Sequence, residues 1–286
     1  MSGENLDFLT ARQIVSPARD EALSSSTPQI SALQDTQITE FIHWLNGEFV
    51  FAAHGSHANI IIPSSFTGFS WMKKTTNLSF VTHNSLSAAA AASAATFSLT
   101  SATNWDNTGR TAFETTRGAV VFVDHESKAS NTLTVSTATG AQTISIALAS
   151  GSRANKLYAL PSDFGRVHHL FVNTLPFAEE KMSGMFPRGG RFSVFGSYLF
   201  MPRGMYTADG TLLYEKAPTE IATLDTTTNI PRRALRWAIE STLFHLFRIK
   251  RKRGDLVTTD QLAERELQKI INYDMLTSTG TQIRLA

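Results

Sequence analysis

"TLLYEKAPTEIATLDTTTNIPRRALRWAIESTLFHLFRIKRKR", residues 211 to 253, is where two kinds of patterning meet. "TLLYEKAP" reads as a short strand, and Pro218 stops it from being central over its last residue. Asn229 or Thr228 then stands just before Pro231, and a proline in the first turn pre-sets the helical backbone. Ala234, Leu235, Ala238, Ile239, Thr242, Leu243, Leu246 and Phe247 follow at helical spacing and form a wide stripe to bury. The helix is expected to close in a basic last turn at Gly254, where the macrodipole favours cations. One stretch thus hands the chain from strands to helices.

Downstream, a second helix over about Thr259 to Met275 carries Leu262, Ala263, Leu267, Ile270 and Ile271 on one face. The final "LTSTGTQIRLA" has no helical period and reads as a tail over 276–286. Upstream, "DTQITEFIHWLNGEFVFAAHG" reads as a helix capped by Asp35 or Thr36 and ended by Gly55. Its apolar face is Ile38, Phe41, Ile42, Leu45 and Phe49, with His43 off the stripe as a surface residue. Residues 1–36 mix short apolar groups with Ser, Thr and Pro and read as an arm with at most short helical pieces.

Between the helices the language is β. "IIIPSSF", "LSFVTH", "TFSLTSAT", "GAVVFVDH", "NTLTVST" and "QTISIAL" are short β-branched or aromatic runs separated by Gly, Asn, Asp and Ser. "PRGGRFSVFGSYLFMPRG" adds two more. The Ser/Ala tract "SLSAAAAASAATFS" is expected to be a connector or an edge segment, because its flanks argue against helix. The expected class is therefore α+β. Residues 37–58 and 228–275 form a helical body, and residues 59–227 form a large, mainly antiparallel β lobe between them.

Composition narrows the chemistry. The chain has no cysteine, which removes disulfides, thiolate nucleophiles and Cys-ligated metals. No apolar run approaches a membrane span, and no secretory leader is expected. Residues 1–150 hold 7 Lys and Arg against 11 Asp and Glu, and the remainder holds 19 against 13, a polarity that suits an oriented assembly. Phosphate-loop, HExxH and GxSxG motifs are absent. No cofactor or metal is expected, and the reading is non-enzymatic.

Three features bear on that reading. In "YALPSDFGRVHHLFVN", residues 158 to 173, His168 and His169 are consecutive on a strand, so they point to opposite faces and do not share one metal. Asp124-His125-Glu126 is read as a solvated turn. "RIKRKR" supplies Arg248, Lys250, Arg251, Lys252 and Arg253. A solvated helix end is the plain reading of that run, and backbone-type contact with a polyanion is the sharper one, since no interleaved aromatics stand ready to stack bases.

"ITEFIHWLNGEF", "LYALPSDFGRVHHLFV" and the 211–253 stretch, in that order, resemble the head-to-tail adaptor (neck or connector) proteins of tailed bacteriophages. "FSLTSATNWDNTGR" and "NTLTVSTATG" look like the β insertion some of them carry. The resemblance covers most of residues 30 to 275. It implies a structural protein of the virion neck, made in the host cytoplasm, that forms a ring, commonly dodecameric, between the portal and the tail or nozzle proteins. DNA would pass through the ring's channel on exit, in non-specific contact with it. The resemblance also implies a docking tail, with Thr281, Gln282, Ile283, Arg284, Leu285 and Ala286 inserted at the portal and Ile283 and Leu285 as apolar anchors. The run 248–253 would face portal carboxylates or the DNA channel. Another tail, baseplate or fibre-attachment protein is the alternative, followed by a hydrolase using His125 or His168.

Overall fold

The computed structural model describes residues 7–24, 35–50, 68–115, 118–181, 186–202, 207–249 and 253–278. In chain order its elements begin with β1 (Phe8–Thr10), α1 (Ala11–Ser24), α2 (Asp35–Val50), β2 (Lys73–Phe80), β3 (Asn84–Ser85) and β4 (Thr96–Ser98). Next are β5 (Gly109–Glu114), β6 (Val120–Ala129), β7 (Thr132–Val135), β8 (Arg153–Lys156), β9 (Tyr158–Ala159) and β10 (Phe164–Val172). Then follow β11 (Leu175–Glu179), β12 (Arg191–Phe195), β13 (Tyr198–Phe200), β14 (Ala208–Lys216) and β15 (Thr227–Pro231). The chain closes with α3 (Leu235–Ile249) and α4 (Arg253–Ser278). The class is α+β, with helices from both ends of the chain and the β strands between them. Two units divide the chain: Met1–Lys73 with Glu215–Ala286, and Lys74–Tyr214. The division falls inside the 59–227 span expected for the β lobe.

The first unit has one core. Leu9, Ile14 and Val15 from the N-terminal segment, Phe41, Ile42, Leu45 and Phe49 from α2, Trp237 and Ala238 from α3, and Ala263, Leu267, Ile270 and Ile271 from α4 are all buried in it. Phe49 stands 4.8 Å from Trp237 and stacks on Phe69 at 4.7 Å between ring centres. The Asn46 side chain on α2, fully buried, donates to Asn229 Oδ1 at 2.9 Å and accepts from the Asn229 N–H at 2.8 Å.

Three expectations are corrected here. Residues 1–36 hold a strand and a 14-residue helix rather than an arm. Thr10 and Gln13 form a capping box: Gln13 N–H donates to Thr10 Oγ1 at 3.3 Å, and Thr10 N–H to Gln13 Oε1 at 2.9 Å. Ala11, Ile14, Val15 and Ala18, all buried, supply the helical stripe, and burial outweighs the hydrogen bond that Pro17 removes. Pro231 does not open a helix. It ends β15, opposite Phe8 of β1, and a 3-10 turn over Arg232–Ala234 leads into α3. Finally, α4 begins at Arg253, so Gly254 lies in its first turn instead of closing α3. The expected close of α2 at Gly55 and the run 60–66 fall outside the described residues.

The second unit holds two sheets. A seven-stranded sheet runs β2-β14-β10-β11-β12-β13-β9, and a six-stranded sheet runs β3-β8-β5-β6-β7-β4. In the latter, β5 pairs antiparallel with β6 and β8, and β7 with β4 and β6. In the former, β11 with β12 is a parallel pair. Each sheet has its own core, one around Phe97, Phe113, Val123 and Leu133, the other around Phe80, Leu170, Phe192 and Leu212. Arg110 joins the two: it pairs with Asp124 at 2.5 Å while its guanidinium sits 4.9 Å from the Tyr198 ring centre and 5.3 Å from that of Phe195.

The Ser/Ala tract is not helical: it turns at Ala92–Ser93, with Ser93 at φ 62°, and is bridged to the rest by Leu86 with Leu99 and Ala90 with Leu148. "QTISIAL" is not a strand. Its backbone bonds go in turn to Asp124, Ser93 and Ala90, so no continuous ladder forms, although Ile144 is fully buried. Asp124-His125-Glu126 is likewise no turn. It lies within β6, and the chain reverses later, at Ser130, which has φ 54°.

Candidate functional site

The basic run straddles the link between α3 and α4. Arg248 occupies the last turn of α3, where the macrodipole favours a cation, whereas Arg253 opens α4, where it does not. The macrodipole therefore accounts for only one side of the run. Lys250, Arg251 and Lys252 lie outside the described residues, as do the side chains of Arg248 and Arg253. Thr281, Gln282, Ile283, Arg284, Leu285 and Ala286 also lie outside them.

At the other end of this helical pair, the structure builds an anchor that the sequence did not announce. Asp274 near the end of α4 accepts from Ser70 N–H at 3.0 Å and from Ser70 Oγ at 2.6 Å. Arg233, just before α3, approaches Asp274 at 4.0 Å and lies 4.4 Å from the Trp71 ring centre and 4.8 Å from that of Tyr273. A guanidinium held between two aromatic faces and a buried carboxylate fixes the beginning of α3 against the end of α4. Lys73 belongs to the same group; burial pulls its pKa down, and Asp274 and Glu215 push it back up only in part. The pair is thus tied at its base, and the basic link is at the opposite end. No sequence motif marks this, because Ser70 and Asp274 stand 204 positions apart.

The "YALPSDFGRVHHLFVN" stretch runs from β9 through a turn into β10, both strands of the seven-stranded sheet. Phe164 N–H closes the turn onto Pro161 O at 3.0 Å, and β10 starts there. Asp163 accepts from Lys74 Nζ at 2.7 Å and from Tyr214 Oη at 2.8 Å. The Lys74 bond is the main reason its carboxyl sits below the usual range, while burial and that carboxylate push Tyr214 up to about 12. His169 is exposed and shares a face with Phe171 at 6.0 Å between ring centres, and His168, on the other face, is half-buried.

His125 is buried in β6, its Nε2 3.2 Å from Asp106 O and its ring edge-on to Phe97. Burial holds its pKa below the ordinary value. Neighbouring Asp124 is engaged by Arg110 and by Gln142 N–H at 2.8 Å; burial raises its pKa, and these bonds more than offset that, leaving it lowered. His43 is exposed and accepts from Ile221 N–H through Nδ1 at 3.2 Å. Among the described residues no group of three His, Asp or Glu side chains is placed to hold a metal, and no helix is long and apolar enough to cross a membrane. Neither a scan of protein-family models nor a search of curated proteins returns a match to this chain.

Proposed function

We propose that the chain is a structural protein of a tailed-bacteriophage virion. It is a head-to-tail adaptor that forms a ring, dodecameric in the family it resembles, between the portal vertex and the tail, around the DNA exit channel. The observation that carries this reading beyond the motifs is the α3–α4 pair, fixed at its base by Arg233 and Asp274, with the basic link at its other end. A packed helical pair with positive charge at its link suits a contact with portal carboxylates or DNA phosphates that needs no base readout. The expected tail over 276–286 loses its first three residues to α4, which runs to Ser278; the remaining segment 279–286 supplies the docking tail, and repetition around a ring supplies its affinity.

The test is to mix the purified chain with a portal ring and image the product by electron microscopy. A coaxial second ring is expected. Removing 279–286 should abolish docking, and replacing Lys250, Arg251 and Lys252 with serine should weaken it and reduce its salt dependence. A chain that stays monomeric beside the portal overturns the reading. A second reading, a fibre-attachment or baseplate component, is favoured by the six-stranded sheet having a core of its own; binding to tail proteins in the absence of any portal contact would select it.

A further inference from the structure

Beside β3, an edge strand of the six-stranded sheet, lies a cavity of about 300 Å³ lined by His83, Asn84, Ser85, Thr100, Gly151 and Arg153. Arg153 on β8 is the cross-strand partner of Ser85 on β3, which sends both side chains to the same face. Thr100 Oγ1 lies 3.4 Å from Ser85 Oγ. The Asn84 amide is committed internally: its Oδ1 accepts from Ser85 N–H at 2.7 Å and from the Thr100 hydroxyl, and its Nδ2 donates to Ser101 O.

Arg153 is differently placed. Its ion pair among the described residues is with Glu114, at 3.9 Å, beyond hydrogen-bonding range, so Glu114 orients the guanidinium without saturating its five donors. The Arg153 side chain is one-third exposed (33%), buried enough to be directed and open enough to be reached. His83 Nδ1 is buried with no hydrogen-bond partner among the described residues. Burial, and then the charge of Arg153, keeps the imidazole below its usual pKa. A guanidinium, an imidazole and two hydroxyls thus line one small space.

We propose that this cavity binds a small molecule carrying one oxyanion group, a carboxylate or a phosphate. Arg153 pairs with the anion, and Ser85, Thr100 and His83 meet the rest of the polar body. A guanidinium fork matches either anion with two parallel hydrogen bonds, and the volume suits a single sugar-sized unit. The proposal is independent of the adaptor reading, since it uses only residues of the six-stranded sheet and its loops.

The test titrates the full chain with inorganic phosphate, with glucuronate and with galactose as the uncharged control, followed by amide chemical shifts. Phosphate or glucuronate should bind at about 1 mM, a weak single-site affinity, and shift the amides of 83–85 and 151–153. The anion that binds tells a free phosphate from an acidic sugar. Arg153→Gln should weaken binding about tenfold, the loss of one charge-assisted pair, and Arg153→Lys should recover part of it. Ser85→Ala, far gentler to the fold, should weaken binding less and keeps the test open if Arg153→Gln melts early. Absence of anion binding up to roughly 50 mM, binding indifferent to Arg153, or equal binding of galactose overturns the proposal.

Discussion

In the helical unit, buried polar groups find their partners at the far end of the chain. Asn46 meets Asn229 across 183 positions, and Thr228 reaches Leu9 O across 219. In the six-stranded sheet partners are nearer, 63 positions apart or less for Ser150 with Ser87 and 52 for Lys156 with Asn104, and several are close neighbours. Trp105 Nε1 donates to Thr111 Oγ1 six positions away, Arg110 pairs with Asp124 fourteen away, and Lys128 donates to Trp105 O across 23. The difference is one of loop closure. The helical unit cannot complete its core until both ends of the chain are present, whereas the six-stranded sheet can form its β5–β6–β7 meander from short loops before β8 returns to join β3 and β5. Calorimetry should accordingly resolve two transitions, and each variant below is a way to move one and not the other.

The largest effect is expected from Trp237→Ala. Trp237 is 2% exposed and packs on Phe49, so its removal should cost about 3–5 kcal/mol, as for other large aromatic truncations. The transition of the helical unit should fall steeply while that of residues 74–214 holds its midpoint. If both fall together, the two regions are not separable in stability. Next is Gly210→Ala in β14. A Cβ there would lie 2.3 Å from Phe80 Cε2 and 3.1 Å from Phe171 O, with Phe80 fully buried, so overpacking should cost about 1–3 kcal/mol in the other transition. Asn46→Ala should cost roughly 1–3 kcal/mol in the helical unit, because it strands the buried Asn229 N–H. Denaturant midpoints at constant m-value check both.

The smallest effect is one of pH. His125 has a folded pKa below 6.5, so the unfolded chain takes up a proton first as pH falls. Its contribution is whole above pH 6.5 and is lost as pH drops from 6.5 toward the folded value. His83, also lowered, acts in the same window. Asp124 and Asp163 act later: their stabilisation is present above 3.8 and is lost as pH falls through their lower folded values. His125→Gln should flatten the part just below pH 6.5 and leave the acid limb intact. A profile unchanged in that window would remove His125 from the account.

Much of the architecture was legible, and the misses have physical causes. The stripes of α2, α3 and α4 could be read because apolar spacing is a local signal, and burial of Phe41, Ile42, Leu243 and Ile271 follows it. The helix α1 was hidden by Pro17 and the serines around it, although "TARQ" at 10–13 carries the capping box in plain view. The β15–α3 junction was misplaced because Pro231 suits a strand end as well as a helix start, and the pairing with Phe8 that decides it is tertiary. His125 was read from its polar neighbours, while its burial depends on Phe97 in another strand. The Arg233 anchor and the Arg153 cavity were illegible for one reason. Their members come from separate elements, and only register brings them together.

The pairing of β3 with β8 makes the six-stranded sheet a removable piece. Asn84 faces Ala154, so the polypeptide enters and leaves the six-stranded sheet on hydrogen-bonded neighbours, about 4.8 Å apart. A two-residue turn spans such a gap. A chain with that turn in place of residues 84–154 is therefore expected to join β2 to β9 directly and to keep the seven-stranded sheet, which circular dichroism and thermal melting of such a deletion would check.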